Sequence, residues 1–512
     1  MDLQTRIIQI IEHIAEGMFE REDIIAVALL GALSSQNTFL YGPPGTAKSL
    51  ISRRIACAFD SPTYFECLMN RFSTPEEVFG PVSIKALKED RYTRKTERYL
   101  PRAEFAFLDE IWKSSPAILN SLLTLINEKI FKNGEEIEKV PLKALIAASN
   151  ETPEDNQGLE ALYDRFIVRL MVEPIHHKNN FESLVNAQPT EAYVNLPDNL
   201  IIKQSEWQTW SKKICSVNLS NETLQIIHSI RIAFAEQADE LNVYVSDRRW
   251  QKAAQLLKAS AFFNGRAETN HSDALLLCHC LWTTEENRQE VVSIVNTRIK
   301  SAGFSSDVSL AELDREKNEL DKEINKELFY RSDVYKTEKI GNKKYFKAKV
   351  NFTYRYNYSD KTVSRTLFIS YAEMKTKGDF KPVDAKGNEL EDYACSFDGQ
   401  GACKIEVKRI ERNYDSEACF TPKVLFHKGD KKGDVNDRLI QALKQEVLSL
   451  REKLLGVHGC CESKKSGYRE HLKSSFVNDE QLKIPLEGIE RQLSSINTRI
   501  KDCERLEALC SE

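Results

Sequence analysis

Residues 42 to 49 read GPPGTAKS, set between the apolar run Thr38, Phe39, Leu40, Tyr41 and a helical pattern that opens at Lys48. A strand that breaks into a glycine-rich turn and resumes as a helix turns main-chain N–H groups and a helix N-terminus onto one point, where they hold an anion. This order constrains the chain more than any other feature, because the loop works only inside an α/β layer. Gly42, Pro43, Pro44, Gly45, Thr46, Ala47, Lys48, Ser49 and Leu50 are the expected nucleotide-cradling residues. Lys48 would reach the β- and γ-phosphates of ATP, and Ser49 would ligate Mg²⁺. The general pattern has Gly just before the Lys, and here Ala47 stands there. Its one extra methyl leaves room for close phosphate approach if the residue sits in the right-handed helical region.

A chain of 512 residues should form several domains. Its 72 basic and 77 acidic residues leave a net charge of -5, so nothing global draws it to nucleic acid or an anionic membrane. No run of about 18 apolar residues predicts a membrane span, and MDLQTRIIQIIEHIAEG reads as an amphipathic helix, not a secretory signal. A cytoplasmic location is expected. The twelve cysteines lack a repeated spacing, which suits reduced thiols better than a disulfide framework. Cys278, His279 and Cys280 are adjacent on a helix, where successive side chains diverge by about a hundred degrees, so one metal ion could not easily take all three. Cys460 and Cys461 read as neighbours on a loop.

Short apolar runs at 38 to 41, 105 to 108 and 144 to 148 alternate with helical patterns, which predicts a parallel sheet covered on both faces. An all-α segment follows, including a helix from Asp247 to Phe263 that ends at Gly265. Charged helical stretches at 307 to 330, 434 to 455 and 485 to 509 carry coiled-coil seams, the first weakened by Lys317. Between them, Val350, Phe352, Tyr354, Tyr356 and Tyr358 alternate with Asn351, Thr353, Arg355, Asn357 and Ser359, a period of two that predicts a small antiparallel β domain. The expected domains are a nucleotide-binding core over 1–190, an all-α lid over 191–303, a discontinuous triple-helical stalk over 304–332 with 433–512, and an inserted β-barrel-like domain over 333–432.

Phe105, Ala106, Phe107 and Leu108 deliver Asp109 and Glu110 to a strand end about 60 residues after the phosphate loop. In that setting the first acid holds Mg²⁺, usually through water, and the second polarises the attacking water. The strand ALIAAS ends in Asn150, which parallel order would set beside Glu110 to orient water or the γ-phosphate. A cation that stabilises phosphoryl transfer must come from outside the loop, often from a neighbouring subunit. Arg165, in ALYDRF, is the candidate for that role. Arg248 and Arg249, behind the possible cap Ser246, could supply a second charge from the same chain.

These elements resemble the AAA+ ATPases, and specifically the MoxR family. The resemblance rests on GPPGTAKS, on RFSTPEEVFGP at 71 to 81, FLDEIWK at 107 to 113, AASNE at 147 to 151, ALYDRF at 161 to 166 and VSDRRW at 245 to 250. It covers about the first 300 residues and implies a hexameric ring. Lys48 and Ser49 would belong to Walker A, Asp109 and Glu110 to Walker B, and Asn150 would be sensor 1. Arg165 would be the arginine finger, with Arg169 the alternative, and Arg248 would be sensor 2, with Arg249 the alternative. Gly17, Met18 and Phe19 would lie against adenine. The family also carries two insertions, matched here by GPVSIKALKEDRYTRKTERYLPR at 80 to 102, expected to face a pore, and by a hairpin around Asn133 and Gly134.

The stretch from Arg331 to Lys361 has nine basic and three acidic residues, interleaved with aromatics. The two-residue period places most of those rings on one face, inside the β domain, so core packing outweighs base stacking. By resemblance, the partners implied are a von Willebrand factor A domain protein and, for the insert, an inducible lysine decarboxylase. The activity implied is chaperone-like remodelling of protein partners, against two alternatives: a helicase-like motor on DNA, and a scaffold that ATP merely assembles.

Overall fold

The computed structural model describes residues 2–153, 159–304, 309–356, 359–376, 378–399, 401–408 and 417–511. Two compact units make up the chain, Met1–Asp307 with His458–Asn497 and Val308–Val457 with Thr498–Glu512. In the first, α1 (Leu3–Ala15) and α2 (Glu22–Leu33) precede β1 (Asn37–Tyr41), and α3 (Lys48–Ala56) follows it. Then come β2 (Tyr64–Leu68), α4 (Pro75–Phe79), α5 (Ile84–Leu87), β3 (Phe105–Asp109) and α6 (Pro116–Glu128). The hairpin β4 (Ile130–Asn133) and β5 (Glu136–Lys139), then β6 (Ala144–Ser149), α7 (Glu160–Tyr163) and β7 (Phe166–Met171) complete the layer.

Strands β2-β3-β6-β1-β7 form one parallel sheet. Both faces are covered, which is why these strands are almost wholly apolar. Alternate side chains serve opposite cores. Leu40, Phe105, Phe107, Ile146 and Ala148 pack with residues of α1, α2 and α3, while Phe39, Ala106, Leu108, Leu145 and Ala147 pack with Ile111, Trp112 and α6. Helix α2 is buried at every position from Ile25 to Leu33, as a helix enclosed on all sides must be. The chain then leaves the sheet as α8 (Lys178–Asn186), α9 (Gln204–Cys215), α10 (Asn221–Glu236), α11 (Ala238–Leu241), α12 (Asp247–Phe263), α13 (His271–Ala274) and α14 (Glu285–Ala302). Ser246 caps α12 by accepting the Arg249 N–H at 3.1 Å.

The second unit opens with α15 (Leu310–Leu328). Its β region comprises β8 (Val334–Tyr335), β9 (Glu338–Ile340), β10 (Lys343–Tyr356), β11 (Ser359–Ser370), β12 (Tyr393–Phe397), β13 (Cys403–Val407), β14 (Glu417–Phe420) and β15 (Val424–Phe426). They form three small antiparallel sheets, β11-β10-β9, β12-β13-β14 and β15-β8. Phe346, Ala348, Val350 and Phe352 share one core with Leu367, Ile369, Cys395, Cys403 and Ile405, as the period of two requires. Tyr358 lies outside the described residues, as do the side chains of Tyr354 and Tyr356. Helices α16 (Asp437–Lys465), α17 (Tyr468–Leu472) and α18 (Lys483–Ser511) end the chain.

Within this unit Leu313, Leu320, Ile324 and Leu328 of α15, Leu443, Val447, Leu450 and Leu454 of α16, and Cys503, Leu506 and Cys510 of α18 are buried. Lys317, the polar residue in the seam, is paired with Asp502 at 3.0 Å, and Arg499 with Asp314 at 2.7 Å. Residues 458–497 go instead with the first unit, so the expected stalk segment 433–512 is divided. There the His271 ring meets the Tyr468 hydroxyl at 2.6 Å, Ser475 N donates to Asn264 Oδ1 at 2.9 Å, and Phe476 packs edge-on to Phe263. Cys460 and Cys461 lie inside α16 and not on a loop.

Candidate nucleotide site

Three adjacent strand ends converge where the sequence sets its chemistry. Asp109 ends β3 opposite Ala148 of β6, and Tyr41 ends β1 opposite Ser149. Past the strands Gly42 N donates to Ser149 O at 3.1 Å, so the loop leaves the sheet directly beside Asn150. A Cβ at Gly42 would stand 2.2 Å from the Val172 carbonyl, which leaves no room for any other residue. Pro43, Pro44 and Gly45 form an exposed crest, and Thr46 is buried beneath it with its hydroxyl donating to Pro43 O at 2.9 Å. Ser49 and Leu50 stand in the first turn of α3.

Ala47 departs from expectation. Its φ of 67° and ψ of 26° put it in the left-handed region, not the right-handed one. The general pattern has Gly there because this torsion costs an L-residue about 1–2 kcal/mol. The loop geometry, set by neighbours on both sides, overrides that local preference.

Lys48 Nζ donates to Gly42 O at 2.6 Å and Pro43 O at 2.8 Å. Burial lowers its pKa, partly offset by Asp109 and Glu110. Burial likewise holds the Asp109 carboxyl above its ordinary range, with Lys48 opposing and Glu110 and Glu66 adding to the shift. Glu110 has φ 51°, a left-handed torsion that turns it out of the strand line. Its Oε2 is buried, 3.1 Å from Lys113 Nζ but at an angle that forms no hydrogen bond. The Asn150 amide oxygen is also buried and unpartnered. Two orphaned polar atoms at neighbouring strand ends leave hydrogen-bonding capacity for something between them.

Beside the loop a cavity of about 360 Å³ is lined by Gly17, Met18, Phe19, Pro43 to Ala47 and Leu50. Its far wall, Pro174, Ile175, Phe181, Leu184 and Thr190, was not anticipated from the sequence. The i, i+3 spacing of Phe181 and Leu184 on α8 was the signal that could have found it. Arg21 ties the wall to the loop, donating to Glu173 O at 2.6 Å and Thr46 O at 3.4 Å. The Glu20 carboxylate accepts from His176 N, His177 N and Asn180 Nδ2, each at 2.9 Å, and these bonds hold its pKa down at about 2.

The arginines separate cleanly. Arg169 is buried, donating to Trp282 O, Tyr163 O and Phe166 O at 2.6, 2.9 and 3.0 Å with its guanidinium 3.6 Å from the Tyr163 ring centroid. Arg249 is buried too, donating to Cys280 O and Trp282 O, both at 2.6 Å. Neither head can leave. Arg165 and Arg248 keep accessible heads, and partial burial, with repulsion from the nearby Arg248 charge, lowers the Arg165 pKa. Arg165 is further held by Asn127 Oδ1 at 2.5 Å and by the Ala161 carbonyl.

The main chain that carries this pair starts at the end of β1 away from the loop. The Arg165 carbonyl accepts from Asn37 at the start of β1, whereas the loop begins after Tyr41. The five residues of β1, Asn37 included, span about 16 Å at ~3.3 Å each. Ser246 Oγ donates to both Asp164 oxygens at 3.0 and 2.8 Å, anchoring the α12 N-terminus at that same end.

A phosphate loop on β1, paired acids on β3, a polar strand end on β6 and a helical lid define an AAA+ ATPase. Residues 5–206 match the MoxR domain of the MoxR-vWA-beta-propeller ternary systems, and residues 222–295 match an AAA lid domain. Two Methanocaldococcus jannaschii proteins, MJ0079 and MJ0812, are 39% and 38% identical over 282 and 318 residues. Those alignments take in 55% and 62% of this chain and 71% and 82% of the relatives. The structural protein ORF618 of Acidianus two-tailed virus is 31% identical over 33% of this chain and 28% of its own length. The chain belongs to the MoxR family of AAA+ ATPases.

Proposed function

We propose that this ATPase works as a ring: water attacks the γ-phosphate directly, with no covalent enzyme intermediate, and the site that activates it is completed by a second copy of the chain. The observation that carries this reading is that the Arg165 main chain and the α12 N-terminus just before Arg248 lie at the end of β1 opposite the phosphate loop. In a closed ring each edge meets the opposite edge of a neighbour, and a heterologous contact of this kind completes every site at once. Lys48 and the loop N–H groups would hold the phosphates, Glu110 would polarise the water, Asn150 would orient it, and Arg165 and Arg248 of the adjacent copy would stabilise the charge that develops.

The donor set fits Mg²⁺, since Ser49 and Asp109 offer oxygen ligands and burial, with Glu110 and Glu66 adding to it, disfavours the Asp109 charge. Ser49 and Asp109 would hold the ion, which when bound neutralises phosphate oxygens. The cavity beside Met18 and Phe19 has the apolar lining that a purine ring would take.

Within the family the ordered motifs and the inserted β region resemble RavA, a regulatory ATPase. On that resemblance we assign the chain to cytoplasmic, chaperone-like remodelling of protein partners in a hexamer, with a von Willebrand factor A domain protein as one partner. The description of the matching family supports that partner. An inducible lysine decarboxylase is the partner proposed for the β domain. Among the described residues no helix is long and apolar enough to cross a membrane.

Subunit mixing tests the shared site. Lys48→Ala and Arg165→Ala chains, each inactive alone, should regain turnover when combined, because some interfaces then pair an intact loop with an intact arginine. A mixture as inactive as its components would reject the reading.

A further inference from the structure

Lys129 breaks two rules at once. It follows α6 with φ 54° and ψ 38°, a left-handed torsion that favours Gly or Asn. Its Nζ is buried and makes no hydrogen bond, although the residue as a whole keeps some exposure. A lysine normally buries its stem and shows its head to water, and Lys129 does the reverse. Burial, with repulsion from Lys252, pushes its pKa down to about 8. Backbone strain and an unpaired buried cation together give the fold nothing, which points to a function elsewhere.

Its neighbours say what that function is. Two residues earlier, Asn127 holds Arg165. Lys252, the cation that repels Lys129, lies one helical turn after Arg248 on α12 and is steadied by Gln255 Oε1 at 3.2 Å. Two cation pairs thus lie near the C-terminal end of α6, Arg165 with Arg248 and Lys129 with Lys252. Among the described residues none of the four forms a salt bridge. The one carboxylate that acts on Arg165 is Asp164, whose two oxygens already accept from Ser246. Four cations facing one engaged acid are matched to a polyanion.

We propose that Lys129, with Lys252 beside it, is a second tier of phosphate-binding charge, turned toward the triphosphate of the adjacent copy together with Arg165 and Arg248. The unpaired head breaks no hydrogen bond in turning to an incoming anion. This inference rests on the shared-site reading above.

The test uses the full chain with ATP. Lys129→Met keeps the stem and removes the charge, so kcat should fall about tenfold, less than the roughly 10²–10³ of a donor in direct contact because Lys129 stands a tier behind Arg165, while Lys129→Arg should restore at least half. The melting temperature of Lys129→Met should hold or rise. Mixed with Lys48→Ala, it should regain turnover as Arg165→Ala does. If Lys129→Met turns over at full rate and is only more stable, the lysine is a packing fault and the inference falls. If the Arg165→Ala mixture recovers and the Lys129→Met mixture does not, the inference fails while the shared site stands; recovery in neither removes the shared site itself. Should Lys129→Met not fold, Lys252→Gln carries the same prediction at about threefold, and an unchanged kcat there overturns the proposal. Hydrolysis stimulated by single-stranded DNA, and losing that stimulation in Lys252→Gln, would reassign the cluster to nucleic acid.

Discussion

Arg165 and Arg169 are one helical turn apart in number, and Arg248 and Arg249 are neighbours, yet each pair splits the same way. One member is sealed against main-chain carbonyls and the other keeps an accessible head at the edge of the sheet. The buried members, Arg169 and Arg249, share the Trp282 carbonyl and fasten the sheet to the lid. The accessible members lie together and lack a salt bridge. The contrast teaches that a cation's role follows from how far its head is sealed within the chain, since a guanidinium buried against main-chain carbonyls cannot be offered to a phosphate.

The largest effects should come from the loop and the acids it faces. Lys48→Ala should abolish nucleotide binding, read by fluorescent ATP titration. Glu110→Gln should bind ATP normally and cut kcat by roughly 10²–10³, as loss of a water-activating group does. Ordinary turnover by that variant would reject Glu110 as the water-polarising group.

The arginines come next, and here the contrast can be broken outright. Arg165→Ala should lower kcat by about 10³ with an unchanged melting temperature. Arg169→Met should cost about 3 kcal/mol of stability by removing three buried hydrogen bonds to main-chain carbonyls, seen as an early unfolding transition. If the two phenotypes were exchanged, the assignment of roles would be reversed.

Smaller effects sharpen the picture. Ala47→Gly should relieve the left-handed torsion, and after the greater entropy of an unfolded glycine is subtracted a gain of about 0.5–1 kcal/mol remains. A lower melting temperature would mean that Ala47 is not strained. The least effect concerns Glu20, whose folded pKa is depressed from 4.5 to about 2. A depressed carboxylate stabilises above its unfolded pKa and loses that contribution as pH falls through the folded value. Wild type and Glu20→Gln should therefore differ in melting temperature at pH 7 and converge between about pH 4.5 and 2. A pH-independent difference would assign the effect to packing.

Much of this architecture was legible beforehand. The apolar runs into Gly42 and Asp109 mark central strands because only a sheet covered on both faces tolerates them, and α12 begins and ends where Ser246 and Gly265 predict. What escaped reading depends on distant or torsional facts. Nothing local tells Arg169 from Arg165, since the deciding carbonyl, Trp282, is 113 residues away. Ala47 offers no sign of its torsion. Gly134 was legible as a turn residue, but the turn itself is shifted to Gly134 and Glu135, with Asn133 pairing opposite Glu136. Asn133 spends its amide on the main chain of Arg94 instead, accepting at 2.6 Å and donating at 3.1 Å. The seam residues of α18 look continuous in sequence, yet its first half belongs to the unit that holds the lid.

The most direct measurement of the central claim is turnover per subunit across a dilution series, with molar mass followed by light scattering in ATP. Activity that falls in step with the loss of the assembled species is the predicted result. A single copy that hydrolyses ATP at the undiluted rate, with or without Arg165, would contradict it.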